Sequence, residues 1–134
     1  MILILCLTPV YQLNPSYDQY MSFLHKDGIS EIEYKDWVYM CGDYAQDTVS
    51  VLRKHGFQAY FLLIEWDTGQ VESLKHMAIA FQAEGKWYFI EPQSDLPLLE
   101  NWKGYKGRIS VWEDCKIAKT GYAVCRNHKF TFWV

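Results

Sequence analysis

Apolar and polar residues repeat with two different periods along this chain, and the change falls near Gly56. Before it the spacing is helical. Tyr17, Tyr20, Met21 and Leu24 follow Pro15 and Ser16 at i, i+3, i+4 and i+7, which predicts a short amphipathic helix opened by a Ser cap and ended near Asp27-Gly28. Cys41, Ala45, Val49 and Leu52 form one face of a second helix running to His55, with Thr48 beside them. Asp43, Gln46, Asp47, Ser50, Arg53 and Lys54 lie mostly away from that face. The acids fall in its first half and the bases in its last turn, and Gly56 stands where a left-handed cap is wanted.

After Gly56 the period becomes two. Gln58 to Trp66 holds the unbroken apolar run Ala59 to Ile64, which predicts a strand covered on both faces before Asp67-Thr68-Gly69 turns the chain. Lys75 to Ala83 and Lys86 to Glu91 alternate around Glu84-Gly85, the pattern of a two-residue hairpin, and Pro92 closes the second strand. Arg108 to Trp112, Tyr122 to Cys125 and Lys129 to Val134 read as further strands, separated by the turn signals Lys103-Gly104, Lys106-Gly107 and Thr120-Gly121. Helices followed by mostly antiparallel strands describe an α+β fold.

Composition narrows the possibilities. Half of the 134 residues are apolar and 17% are aromatic, too much buriable surface for a disordered chain. A chain of this length buries about two thirds of its unfolded surface, so neither disulfides nor a structural metal are needed for folding. The formal charge of −3 excludes a polybasic nucleic-acid binder. No apolar stretch approaches the roughly 20 residues of a membrane span. Met1 to Leu7 is apolar but short and without a basic leader, and is expected to be a first strand or an anchoring segment; the rival reading makes it the remnant of a secretion signal on a piece of a larger exported protein. Without repeats or a linker, residues 1–134 read as a single domain. Cys6, Cys41, Cys115 and Cys125 make no Cys-x-x-Cys pair, which points to a reducing, cytoplasmic setting; Cys115 and Cys125 fit adjacent strands, with core packing as the default. His25, His55 and His128 show no ligand spacing, so no metal is implied.

Three residues carry the candidate chemistry. Cys41 falls at a helix start, where unpaired N–H groups and the dipole favour a thiolate. His76 begins a strand face that continues with the small residues Ala78 and Ala80, while Met77, Ile79 and Phe81 take the other face. With Glu84-Gly85 as the hairpin loop, Ala83 pairs with Lys86, Ala80 faces Phe89 and Ala78 faces Glu91. Glu91 then shares the face of His76 as a diagonal neighbour, about 7–8 Å away between backbones. A three-residue loop shifts the register and puts Glu91 on the wrong face. A carboxylate on one ring nitrogen fixes the imidazole and leaves the other nitrogen for a thiol. Taken singly, each residue has a plainer reading: Cys41 as core packing, His76 as the solvent-facing tip of an edge strand, and Glu91 as an exposed strand-end acid. Phe89, opposite Ala80, is expected to exclude water from the helix that carries Cys41.

The ordered set Cys41-Gly42-Asp43-Tyr44-Ala45, Leu52 to Ala59, His76-Met77-Ala78 and Gly85 to Pro92 resembles the transglutaminase-like superfamily of papain-type folds, over about residues 16 to 95. The resemblance implies N-terminal helices packed on a mostly antiparallel sheet. It makes Cys41 the nucleophile, His76 the general base and acid, and Glu91 the residue orienting His76. Glu91 stands where the family usually has Asp, with Asp95 and Gln93 in reserve. Met40 and Gly42 flank the thiol where animal crosslinking enzymes have Gln and Trp. The function implied is thiol acyl transfer on an amide of a peptide or protein, hydrolysis ahead of amine crosslinking, with no cofactor. The alternative is a non-catalytic binding module on the same fold. An oxyanion hole needs the Cys41 N–H and a second donor, for which Trp37, Tyr39, Gln12 and Asn14 are candidates.

Overall fold

A computed structural model describes residues 14–36, 38–67, 74–98, 106–117 and 123–133. Met1 to Leu7, Gln12, Trp37 and the turns expected at 68–69, 103–104 and 120–121 lie outside these residues. Helix α1 spans Tyr17–Lys26 and is opened by a capping box: the Ser16 hydroxyl accepts from the Gln19 N–H at 3.1 Å and the Gln19 side chain accepts from the Ser16 N–H at 2.8 Å. A 3₁₀ turn, Ile29–Glu31, follows Gly28, which sits at φ 75°. Helix α2 spans Cys41–Lys54 and ends at Gly56, whose φ of 85° is the left-handed conformation its position predicts.

The strands are β1 (Tyr60–Asp67), β2 (Leu74–Ala83), β3 (Lys86–Glu91), β4 (Leu96–Pro97), β5 (Lys106–Ile117) and β6 (Ala123–Trp133). They form one antiparallel sheet in the order β4-β3-β2-β1-β5-β6. The hairpin register is the expected one, with Ala83 opposite Lys86 and Ala80 opposite Phe89. Two expectations change. Lys106-Gly107 opens β5 instead of turning the chain: Gly107 pairs with Trp66, and a Cβ there would stand 3.0 Å from the Glu65 carbonyl oxygen. The strands expected at 122–125 and 129–134 are one strand, because a bulge takes up the extra residue; pairing steps from Val111–Phe130 to Trp112–His128, and Asn127 adopts φ 58°.

Each face of the sheet carries its own core. Helices α1 and α2 cover one face, where Tyr20, Leu24, Val49 and Leu52 pack on Phe61, Met77, Ile79 and Phe81. Tyr20 stacks on Phe81 at 4.0 Å and donates its hydroxyl to the Gln58 carbonyl at 2.8 Å. Arg53 pins the end of α2 through the Ala59 carbonyl (2.8 Å) and Asp114 (3.0 Å). Leu62, Ile64, Ala78, Ala80, Phe89, Ile109 and Val111 fill the opposite face, so β1 is covered on both sides as its apolar run predicts. This arrangement overturns the role expected of Phe89. It lies on the face away from the helices, 5.6 Å from the Phe132 ring, and does not border the helix that carries Cys41. Cys115 and Cys125, opposite each other on β5 and β6, form a disulfide in place of the core packing expected of them.

Candidate active site

Cys41 is the first residue of α2, and its surroundings fix that helix end. Met40 is extended (φ −120°, ψ −176°), and the Asp43 carboxylate reaches back to accept the Met40 N–H at 2.9 Å. The Tyr44 hydroxyl donates to the Ile32 carbonyl, tying the preceding segment to the helix. Gly42 follows the thiol because β5 closes on it: a Cβ at Gly42 would stand 2.2 Å from Ile117 Cδ1. Ile117 therefore occupies space that a larger residue after the cysteine would need.

His76 lies near the start of β2, opposite Ile64. Its Nε2–H donates to Oε2 of Glu91, and the second carboxylate oxygen accepts the Gln93 N–H at 3.2 Å. The Trp66 ring stacks on the imidazole, 6.2 Å between centroids and 20° between planes. The two side chains retain 20% and 18% of their accessible surface, so their hydrogen bond is largely withdrawn from water.

Cys41 and His76 border one cleft, close enough that the ring and the thiol each shift the other's ionisation. With Nε2 engaged by Glu91, Nδ1 is the nitrogen left free for the thiol. Burial opposes ionisation of Cys41, but the His76 ring and the backbone N–H groups of Met77 and Gly42 outweigh it and lower the thiol below its ordinary range. Burial likewise pulls His76 down, while Cys41 and Glu91 together outweigh it and push the ring up to about 9. The opposed shifts both favour the charged pair, a thiolate beside an imidazolium. A cleft of about 190 Å³ opens beside them, bordered by Tyr34, Met40, Leu63, Lys75 and Ile117.

The remaining candidates lie elsewhere. Tyr39 gives its hydroxyl to Asp47 at 2.7 Å, and Asn14 does not border the cleft. The Asp95 carboxylate is buried with Ser30 and stands 4.0 Å from His25, while its N–H donates to the Glu91 carbonyl at 2.7 Å. Asp95 and Gln93 thus support Glu91 through their backbones. His55 caps α2 through the Val51 carbonyl (2.9 Å), and His128 pairs with Thr131. Among the described residues no group of three or more His, Cys, Asp or Glu side chains is placed to hold a metal. None of their helices is long and apolar enough to cross a membrane. Trp66 and Ile117 had no role assigned from the sequence. Alternation along β1 carries a readable signal for Trp66, which shares a face with Ile64 and so with His76.

A family model described as a transglutaminase-like domain matches residues 16–122. The chain belongs to that family. No curated protein and no solved structure matches it. The matched span opens at the Ser16 cap and includes both helices, β1 to β5, and Cys41, His76 and Glu91.

Proposed function

We propose that this transglutaminase-like domain is a cysteine-dependent acyl transferase that cleaves an amide of a peptide or protein, with Cys41, His76 and Glu91 as its triad. The observation that carries the reading is the His76 ring, bonded to the Glu91 carboxylate on one side and sharing the cleft of the Cys41 thiol, whose ionisation it favours. The thiolate attacks the amide carbonyl carbon and forms a C–S bond as the π pair moves to oxygen. The tetrahedral species collapses, the C–N bond breaks, and the His76 imidazolium gives its Nδ1 proton to the leaving amine. His76, now neutral, takes a proton from the next nucleophile, which attacks the thioester and restores the thiol. Glu91 holds the ring and offsets its charge throughout.

Cys41 is partly exposed on a cleft open to solvent, which favours water as that nucleophile and hydrolysis as the outcome. A carboxylate turned toward His76 and a cleft that no described residue plugs support catalysis over a binding module. Treatment with p-nitrophenyl acetate tests the proposal. One acetyl group is expected on Cys41 by peptide mapping, discharged to water faster than to added lysine. Acetylation absent from Cys41, or unchanged in His76→Ala, contradicts it.

A further inference from the structure

The tetrahedral intermediate needs two donors on its oxyanion. The Cys41 N–H is one, since the first turn of a helix leaves its N–H groups without intrahelical acceptors. The second must lie on the α2 side of the thiol, because His76 occupies the other side with the proton it transfers. Tyr34 meets this condition. It stands on the segment leading into α2, borders the same cleft as Cys41, and keeps 47% of its surface exposed. Two ties pin that segment around it. The Tyr44 hydroxyl holds the Ile32 carbonyl, and Lys35 and Tyr39 exchange backbone hydrogen bonds at 2.9 and 2.8 Å. The phenol also lies within the electrostatic reach of the thiol: burial, then Asp36, then the Cys41 charge raise its pKa, so it stays protonated and able to donate. Lys75 borders the cleft too, but it belongs to β2 and not to the segment leading into α2.

We infer that the Tyr34 hydroxyl is the second oxyanion donor of the acyl-transfer reaction. The inference rests on the triad reading above. In the resting protein the hydroxyl lies near the Asp36 side chain. As the thiolate adds to the carbonyl, that hydroxyl turns to the developing oxygen anion and keeps its own proton. It lets go when the C–N bond breaks and the carbonyl re-forms.

Two reactions of the same sulfur separate the roles. Alkylation by iodoacetamide displaces iodide and forms no oxyanion, whereas acetylation by p-nitrophenyl acetate does. Tyr34→Phe is expected to lower the acetylation rate of Cys41 about 100-fold, the scale of losing one oxyanion donor, with the alkylation rate unchanged. Tyr39→Phe, which removes a hydroxyl from the same segment, is expected to change neither. Acetylation at the parent rate in Tyr34→Phe overturns the inference while leaving the triad reading intact. A parallel fall in both reactions also overturns it, because Tyr34 then acts on the thiol itself. If the parent protein is not acetylated at Cys41, the triad reading fails first.

Discussion

The Nε2–H of His76 donates to the Glu91 carboxylate across the open end of the β2–β3 hairpin, fifteen residues apart in the chain. The pairing follows from the two-residue turn, since a slip of one position would carry Glu91 to the opposite face. The charge on Glu91 is one of the groups holding His76 up at about 9. Glu91→Gln keeps an acceptor and removes the charge, so the His76 pKa falls. With an amide substrate such as a peptidyl p-nitroanilide, the alkaline limb of the cleavage profile, where the ring loses the proton it must give to the amine, is expected to move to lower pH. His76→Ala removes the proton carrier and is expected to cost about 100- to 10,000-fold in rate. A Glu91→Gln profile superimposing on the parent's would separate Glu91 from the chemistry.

Asp27 is a site where folding works against ionisation. Its Oδ1 accepts the Ile29 N–H at 2.9 Å, but Oδ2 is buried with no partner. Burial, partly offset by that N–H and reinforced by the nearby Asp95 charge, raises it from 3.8 to about 6. The folded pKa exceeds the unfolded one, so the charged form penalises the native state. The penalty is full above pH 6 and gone below pH 3.8. Asp27→Asn keeps the Ile29 contact. It is expected to add about 1 kcal/mol at neutral pH, discounted for partial exposure, and nothing below pH 3.8. Thermal melts at both pH values check this; equal gains at the two would assign the effect to something other than charge.

The Cys115–Cys125 bond closes a short loop on the helix side of the sheet, and Ile117 and Ala123 beyond it border the cleft. Replacing both cysteines by Ser is expected to lower the unfolding free energy by about 2–3 kcal/mol, measured by denaturant titration. No loss would mean that the bond does not restrain the chain. Blocking thiols as the cells are lysed tests the cytoplasmic location expected from the cysteine spacing: a reducing compartment leaves both residues labelled.

Local signals carried the framework. Ser16 marked the start of α1, Gly56 the end of α2, and Glu84-Gly85 the hairpin that aligns His76 with Glu91. The face chosen by the helices was not legible, because both sides of β1 and β2 are apolar and alternation alone does not say which side meets α2. Phe89 was misplaced for that reason. The bulge that makes β6 one strand also escaped, since Arg126, Asn127 and His128 read as a polar gap. Ile117 reaches the cleft from a distant part of the chain, which no spacing pattern foretells, whereas Tyr34 lies on the segment just before α2.

The state of the Cys41 thiol tests the central claim most directly. Its rate of alkylation by iodoacetamide across pH, read by peptide mapping, reports the thiolate fraction. The account expects the midpoint of the alkylation curve to fall below the ordinary thiol value of 9.0, with His76→Ala moving it toward that value. A parent curve that rises only near 9.0, unmoved by His76→Ala, would contradict it.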